Sequence, residues 1–298
     1  MFGQQLVNGV TTGARYTLVA IGFTIVFGVM KLINFAHGDY FTVGAFFGMT
    51  AIISTGSWLH LPLFLLVGLA LVAAVAGSVV SGVLSERFAF RPIGRNEKVP
   101  LLMTSLGVSL LLQNIVMIVW GKGYPQFPAI LPYAKFLFAG LVITPAQIVI
   151  VITSLVFMIG CHLYVQRTNV GKAMRAIGLD PGTALLMGIN VNRVIVIAFV
   201  LSSGLCGVAG VMYGLQYGAL NYLMGFEAVL KAFTAAVLGG MGNILGAVLM
   251  SFALGVVEAL VAGYVSSEWT DAIAFVVLIL MLLFRPWGLF GERVVEKL

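Results

Sequence analysis

The chain has 298 residues, 61% of them hydrophobic and only 9% charged, with 16 Lys or Arg against 10 Asp or Glu. A soluble domain devotes about 25% of its residues to charge, and here the mean hydropathy is +1.10, which excludes a soluble enzyme, a nucleic-acid-binding module and a disordered chain. The excess of base sits in short gaps between apolar runs, where it sets membrane orientation.

Those runs are continuous, so they argue for helices and against a transmembrane β-barrel, which alternates with period two. Met1 to Leu6 hold no Lys or Arg ahead of the first apolar run, so no cleavable signal peptide is expected. The first span covers 5–30 and contains Arg15. Residues 40–85 hold two spans, about 40–56 and 61–84, divided at His60-Leu61-Pro62. Further uncharged runs cover 99–121, 136–166, 194–226 and 232–257, and a last span lies between Trp269 and Trp287. Residues 226–240 are short and carry Glu227 and Lys231. The expectation is an all-α, polytopic integral membrane protein with about eight transmembrane helices and a ninth broken or short element. Cys161 and Cys206 lie inside apolar runs and are expected to pack rather than bridge.

Lys and Arg fix the sides. Arg87, Arg91, Arg95 and Lys98 share one loop, Arg167, Lys172, Arg175 and Arg193 another, and Arg285, Arg293 and Lys297 the tail. The positive-inside rule makes all three cytoplasmic. The proline-rich segment 120–145 and the acidic segment 263–271 are then external, and parity puts the N-terminus outside.

Chemistry is excluded at several points. Gly121-Lys122 and Gly171-Lys172 lack the upstream Gly and the following Ser or Thr of a phosphate-binding loop. No His cluster has metal-ligand spacing, and no Gly-x-Ser-x-Gly elbow exists. A membrane enzyme built on His37 and Asp39 lacks a nucleophile beside them in sequence.

Three constellations remain. Lys31 to Tyr40, with Asn34, His37 and Asp39, follows a span with no real loop. It reads either as a tight cytoplasmic turn with Asp39 capping the next helix, or as the lining of a path. Residues 167–193 signal two short helices. One runs from Gly171 to Ile177, with Lys172 and Arg175 on one face, and stops at Gly178. The other is capped by Asp180 with Pro181 at its first position and stops at Gly188. An exposed face formed by Ala173, Met174, Arg175 and Ala176 reads as a docking element rather than a plain basic loop. The third constellation joins Glu227, four residues before Lys231, to the small-residue run ending in Gly239, Gly240, Gly242 and Asn243. Gly-interrupted elements at 33–39 and 238–243, one in each half, point to a transport site. Glu258 inside the next apolar helix reads as functional, or as a structural partner of a base such as Arg15.

At these places, and in the tail Phe284-Arg285-Pro286-Trp287-Gly288-Leu289-Phe290-Gly291, the sequence resembles the inner-membrane permease of branched-chain amino acid ABC importers, the H-type subunit of the Liv system. The resemblance covers essentially the whole chain and implies a single permease domain, 1–298, in the bacterial inner membrane. It implies import of branched-chain or other hydrophobic amino acids, with urea, amides or another small solute as the alternative. An ion-coupled secondary transporter using Glu258 and Asp39 is the rival from another class. The resemblance further implies a second, M-type permease or another copy of the chain, two cytoplasmic ATPases and a periplasmic binding protein. ATP and Mg would sit on the ATPases, with no cofactor on this chain. The 167–193 loop would be the coupling element, involving Gly171, Lys172, Ala173, Met174, Arg175, Ala176, Asp180 and Gly188. The translocation path is expected to involve Asn34, His37, Asp39, Glu227, Gly239, Gly240, Asn243 and Glu258.

Overall fold

A backbone surrounded by hydrocarbon must satisfy its own hydrogen bonds, and continuous apolar runs do so as helices. The computed structural model describes residues 1–56, 62–93, 98–132, 134–138 and 140–291. In chain order these form α1 (Phe2–Met30), α2 (His37–Gly56), α3 (Leu63–Leu84), α4 (Lys98–Trp120), a hairpin of β1 (Phe136–Phe138) and β2 (Leu141–Ile143), α5 (Pro145–Arg167), α6 (Asn169–Leu179), α7 (Pro181–Leu186), α8 (Val191–Tyr217), α9 (Met224–Gly239), α10 (Ile244–Tyr264) and α11 (Thr270–Phe284). The divider His60-Leu61, together with Arg95, Arg293 and Lys297, lies outside the described residues. Cys161 and Cys206 are free and buried.

Seven helices among the described residues are long and apolar enough to cross a membrane. They correspond to seven of the eight expected spans. The eighth, α2, has 20 residues but carries His37 and Asp39 at its start, and α9 has only 16. The run 136–166 is not one span, because its first residues pair as the β1–β2 hairpin. Pro145 at the first helical position, with the Thr144–Gln147 capping box, starts α5 after it. The Gln4 side chain closes the hairpin onto α1, donating to the Val142 carbonyl and accepting from the Val142 N–H, both at 2.9 Å.

α1 and α8 run through the middle of the bundle and are buried along most of their length, whereas α3, α4, α5 and α11 turn most of their surface outward. Small residues let the central helices touch backbone to backbone. Gly9 and Gly13 of α1 meet Gly255 and its neighbours on α10, and Gly44 of α2 meets Gly207 of α8. Without a hydrophobic force between helices in lipid, such close contact supplies the packing energy. At its far end α3 passes into a π-helical turn, Ser85–Phe90. There the buried Glu86 receives two hydrogen bonds from Arg91, at 3.1 and 2.8 Å.

Candidate functional site

The Lys31–Tyr40 segment turns back into the bundle. Lys31 ends α1 in the left-handed conformation, φ 54°, and the chain reverses within six residues. His37 then stands with Nε2 2.9 Å from the Val19 carbonyl. Val19 lies 11 residues before the end of α1, about 16 Å along it, so α2 begins about half way along α1 rather than at its end. A carbonyl only accepts, so Nε2 carries the ring proton and Nδ1 accepts from the Ser202 hydroxyl at 3.0 Å. Cys206 Sγ lies 3.2 Å from Nε2. A serine and a cysteine therefore do stand beside His37, which the sequence did not reveal. All three are buried, and Gly22 packs against the ring. Their geometry pins α1, α2 and α8 together.

A second helix begins at the same depth. After α8 ends at Gly218, α9 starts at Met224, and Gly225 packs directly on Gly38, where a methyl on either residue would collide with the other's backbone. Two interrupted helices thus meet start to start inside the bundle. The first interruption falls at 31–36, as the Gly pattern suggested. The chain also breaks at 240–243, between α9 and α10, as the Gly pattern suggested, but the second helix to start inside the bundle is α9, after a break at 218–223. Each helix has an acid in its first turn, Asp39 and Glu227, where it complements the positive end of the helix dipole. Asp39 lies inside α2 rather than capping it. Its carboxylate is buried without an ordinary hydrogen bond, beside Ser109 and Gln113 of α4. Asn34 is also buried, and its Oδ1 accepts from the Ala36 N–H at 3.0 Å, which shapes the turn. Glu227 is exposed.

Residues 240–243 form a turn against which the tail packs. Gly239 packs on Gly246, and Gly240, at φ +94°, packs on the backbone of Gly288 and Gly291. The Leu289 N–H donates to the Leu238 carbonyl at 2.9 Å. Asn243 caps α10 through the Gly246 N–H and donates to the Phe290 carbonyl at 3.0 Å. The tail therefore seals this turn.

Glu258 does not pair with Arg15, and Lys231 does not pair with Glu227. Glu258 accepts from the Tyr16 hydroxyl at 2.7 Å and lies 3.4 Å from the Lys231 ammonium. Lys231 also reaches Asp271 at 2.7 Å. This network ties α1, α9, α10 and α11 together. Arg15 is buried separately, with hydrogen bonds to the Gln216 amide oxygen at 3.2 Å and the Tyr217 hydroxyl at 3.3 Å.

On the face where α1 and α5 end, α6 and α7 form a compact unit. Asp180 caps α7, accepting from the Gly182 N–H at 2.8 Å and from the Thr183 hydroxyl. The Thr183 hydroxyl and these backbone N–H groups hold its carboxyl below the usual range. Gly188 follows at φ +80°. Gly178 is not the stop of α6, which runs on to Leu179, and it packs on the Gly28 carbonyl instead. Met174, expected on the exposed face, is 3% exposed and points into the bundle. Gly171 is buried on Val165, and the Arg175 guanidinium caps the Val165 carbonyl at 2.5 Å. The apolar side chains that do face out are Leu179, Leu185, Leu186 and Met187; Leu186 is 88% exposed.

The family described as branched-chain amino acid transport system / permease component matches residues 5–282. The chain belongs to this permease family. It is 41% identical to the high-affinity branched-chain amino acid transport system permease protein BraD of Pseudomonas aeruginosa, over 99% of this chain and 97% of that one. It is 38% identical to the corresponding protein LivH of Escherichia coli, with the same coverage. The chain is accordingly a transport subunit and not an enzyme.

Several residues of this permease escaped the sequence reading. Tyr16 and Asp271 looked like an ordinary aromatic and an external loop acid, and only the fold brings them to Glu258 and Lys231. Ser109 and Gln113 sit four apart on α4, a spacing that puts them on one face. That spacing was the one available signal that α4 turns a polar stripe inward, toward Asp39.

Proposed function

We propose that this permease forms one half of the membrane channel of an ATP-driven importer in the bacterial inner membrane, taking branched-chain or other hydrophobic amino acids from a periplasmic binding protein. Full-length similarity to BraD and LivH is the observation that carries this reading. A second, homologous permease or another copy of the chain completes the channel, and two cytoplasmic ATPases supply the energy. The chain performs no covalent step. ATP binding and hydrolysis on the ATPases shift it between inward- and outward-facing states.

The two interrupted helices suit this task. α2 and α9 meet backbone to backbone at Gly38 and Gly225, so a movement of one helix start is passed directly to the other. The α6–α7 unit is the coupling element. Its outward leucines and Met187 form the packed centre of the ATPase contact, and Lys172 stands at the rim. Packed apolar residues carry most of the binding energy of such a contact, while rim charges steer association. Copurification tests the assembly. The importer reading expects an ATPase and a second permease subunit to copurify with the tagged chain from native membranes. Transport by the purified chain alone, without ATP, would overturn it.

A further inference from the structure

We propose that the groove between the inner halves of α10 and α11 binds one acyl chain of an anionic phospholipid from the cytoplasmic leaflet, and that Arg285 holds the lipid phosphate. The leaflet follows from the orientation that the Lys and Arg loops set. The site itself does not depend on the import reading.

α11 is fastened to the bundle at its two ends. Its outer end is tied by Asp271, 2.7 Å from Lys231. Its inner end is tied by the tail, whose Leu289 N–H donates to the Leu238 carbonyl at 2.9 Å. Among the residues of α11 only Ala274 is buried. Beyond it, α10 and α11 part over a groove of about 400 Å³. The groove runs from Val257 and Val277 to Met250 and Phe284, and Leu238 and Leu289 line its inner end. From Val277 to Phe284 is about 10 Å of helix, so the groove spans about a third of the hydrocarbon thickness.

The lining selects the occupant. Every residue in it is apolar. Phe284 is 77% exposed, and Leu280 and Leu289 are also exposed, so the groove opens sideways onto the bilayer rather than into the bundle. Membrane helices dock on one another through small residues that let their backbones approach. Ala253 is the one small residue in this lining, and the others are Leu, Met, Val and Phe. Such a surface suits a flexible hydrocarbon chain better than a second helix.

Arg285 supplies the charge. It follows Phe284 directly, where α11 ends, and is exposed. Among the described residues no carboxylate pairs with it. The start of α10 lies at the same end, because its cap Asn243 donates to the Phe290 carbonyl at 3.0 Å. The positive end of that helix adds to the charge of Arg285. A basic pocket between transmembrane helices on the cytoplasmic side has the chemistry that takes a lipid phosphate, and the fork of Arg matches two of its oxygens. The tail motif 284–291 thereby gains a role. Gly288, at φ +78°, lies on Gly240 where a side chain would collide, and this turn keeps Arg285 at the inner end of the groove.

The experiment uses the purified importer complex in detergent and phosphatidylglycerol with a photoreactive diazirine midway along one acyl chain. Crosslinked peptides should map to residues 250–257 and 277–284. Labelling should be about tenfold weaker with phosphatidylcholine bearing the same chain, and weaker to the same degree with phosphatidylglycerol on Arg285→Gln. Ala253→Phe fills the groove from an exposed position without entering the core, and should reduce labelling by both lipids. Glycerol phosphate, which has the phosphate but no chain, should not compete. Labelling confined to other parts of the chain, equal labelling by the two lipids, or wild-type labelling of Arg285→Gln overturns the proposal. Competition by glycerol phosphate overturns it in favour of a plain anion site. A groove that no lipid labels, and that a bifunctional thiol reagent joins to a second permease subunit through Leu280→Cys, overturns it in favour of a protein interface.

Discussion

Lys231 shows how one residue's surroundings decide its role. It sits one turn after Glu227 on α9, a spacing that pairs charges on a free helix. In the bundle Glu227 turns outward, and Lys231 bridges Glu258 and Asp271 from two other helices. Burial explains the choice: an ammonium taken out of water needs more than one partner to recover its lost hydration. Lys231→Met should therefore destabilise the permease by about 3–5 kcal/mol, because it leaves Glu258 buried with only Tyr16. The double variant Lys231→Met/Glu258→Gln should recover much of that loss. Thermal melting of the four proteins in detergent gives the coupling; additive losses would show that the two side chains do not stabilise each other. That Glu258 mattered was legible in the sequence, as a carboxylate inside an apolar run. Its partner was not, because Arg15 and Lys231 are both within reach of a helix bundle and only packing separates them.

At the scale of elements, capping chemistry was easy to read and direction was not. Asp180 before Pro181 marks the start of α7, and its carboxyl is held below the usual range. The cap is therefore present above the ordinary carboxylate pKa and is lost only as the pH falls through the depressed value. The short α6 was also visible, but which of its faces turns inward was misjudged. Met174 and Ile177 fill the space against the core, while Leu179 and Leu186 point out. A helix with apolar residues on both sides gives no sequence signal for which side meets its own chain and which a partner. The two substitutions separate these sides. Leu186→Asp should leave the melting temperature unchanged and lose the ATPase on copurification, whereas Met174→Asp should lower expression and thermal stability, since it buries an unpaired charge. An ATPase that stays bound to the Leu186 variant contradicts the docking assignment. The break between a span ending at 217 and a short element from 226 was expected and falls at 218–223, but the depth at which α9 starts was not legible. Residues 194–226 are one uncharged run, and nothing in it shows that the chain restarts as a helix within the bundle rather than at its surface.

For the whole molecule, class and approximate span count followed from composition, because a chain with so few charges can bury its backbone only in a helical bundle. Sidedness rests on Lys and Arg. Ser266→Cys should react with an impermeant thiol reagent added outside intact cells, and Leu186→Cys should react only after permeabilisation. The reverse pattern would invert the topology and with it the coupling role of α6 and α7. The path itself was the least legible feature, since it depends on which buried polar groups the packing leaves facing one another.

The most direct test of the account is uptake by the reconstituted assembly. Proteoliposomes containing the chain, its partner permease and its ATPases should accumulate labelled leucine only when ATP and the binding protein are both supplied. A nucleotide analogue that blocks hydrolysis should stop the accumulation. Uptake that proceeds without ATP, driven by an ion gradient across the same vesicles, would contradict the account.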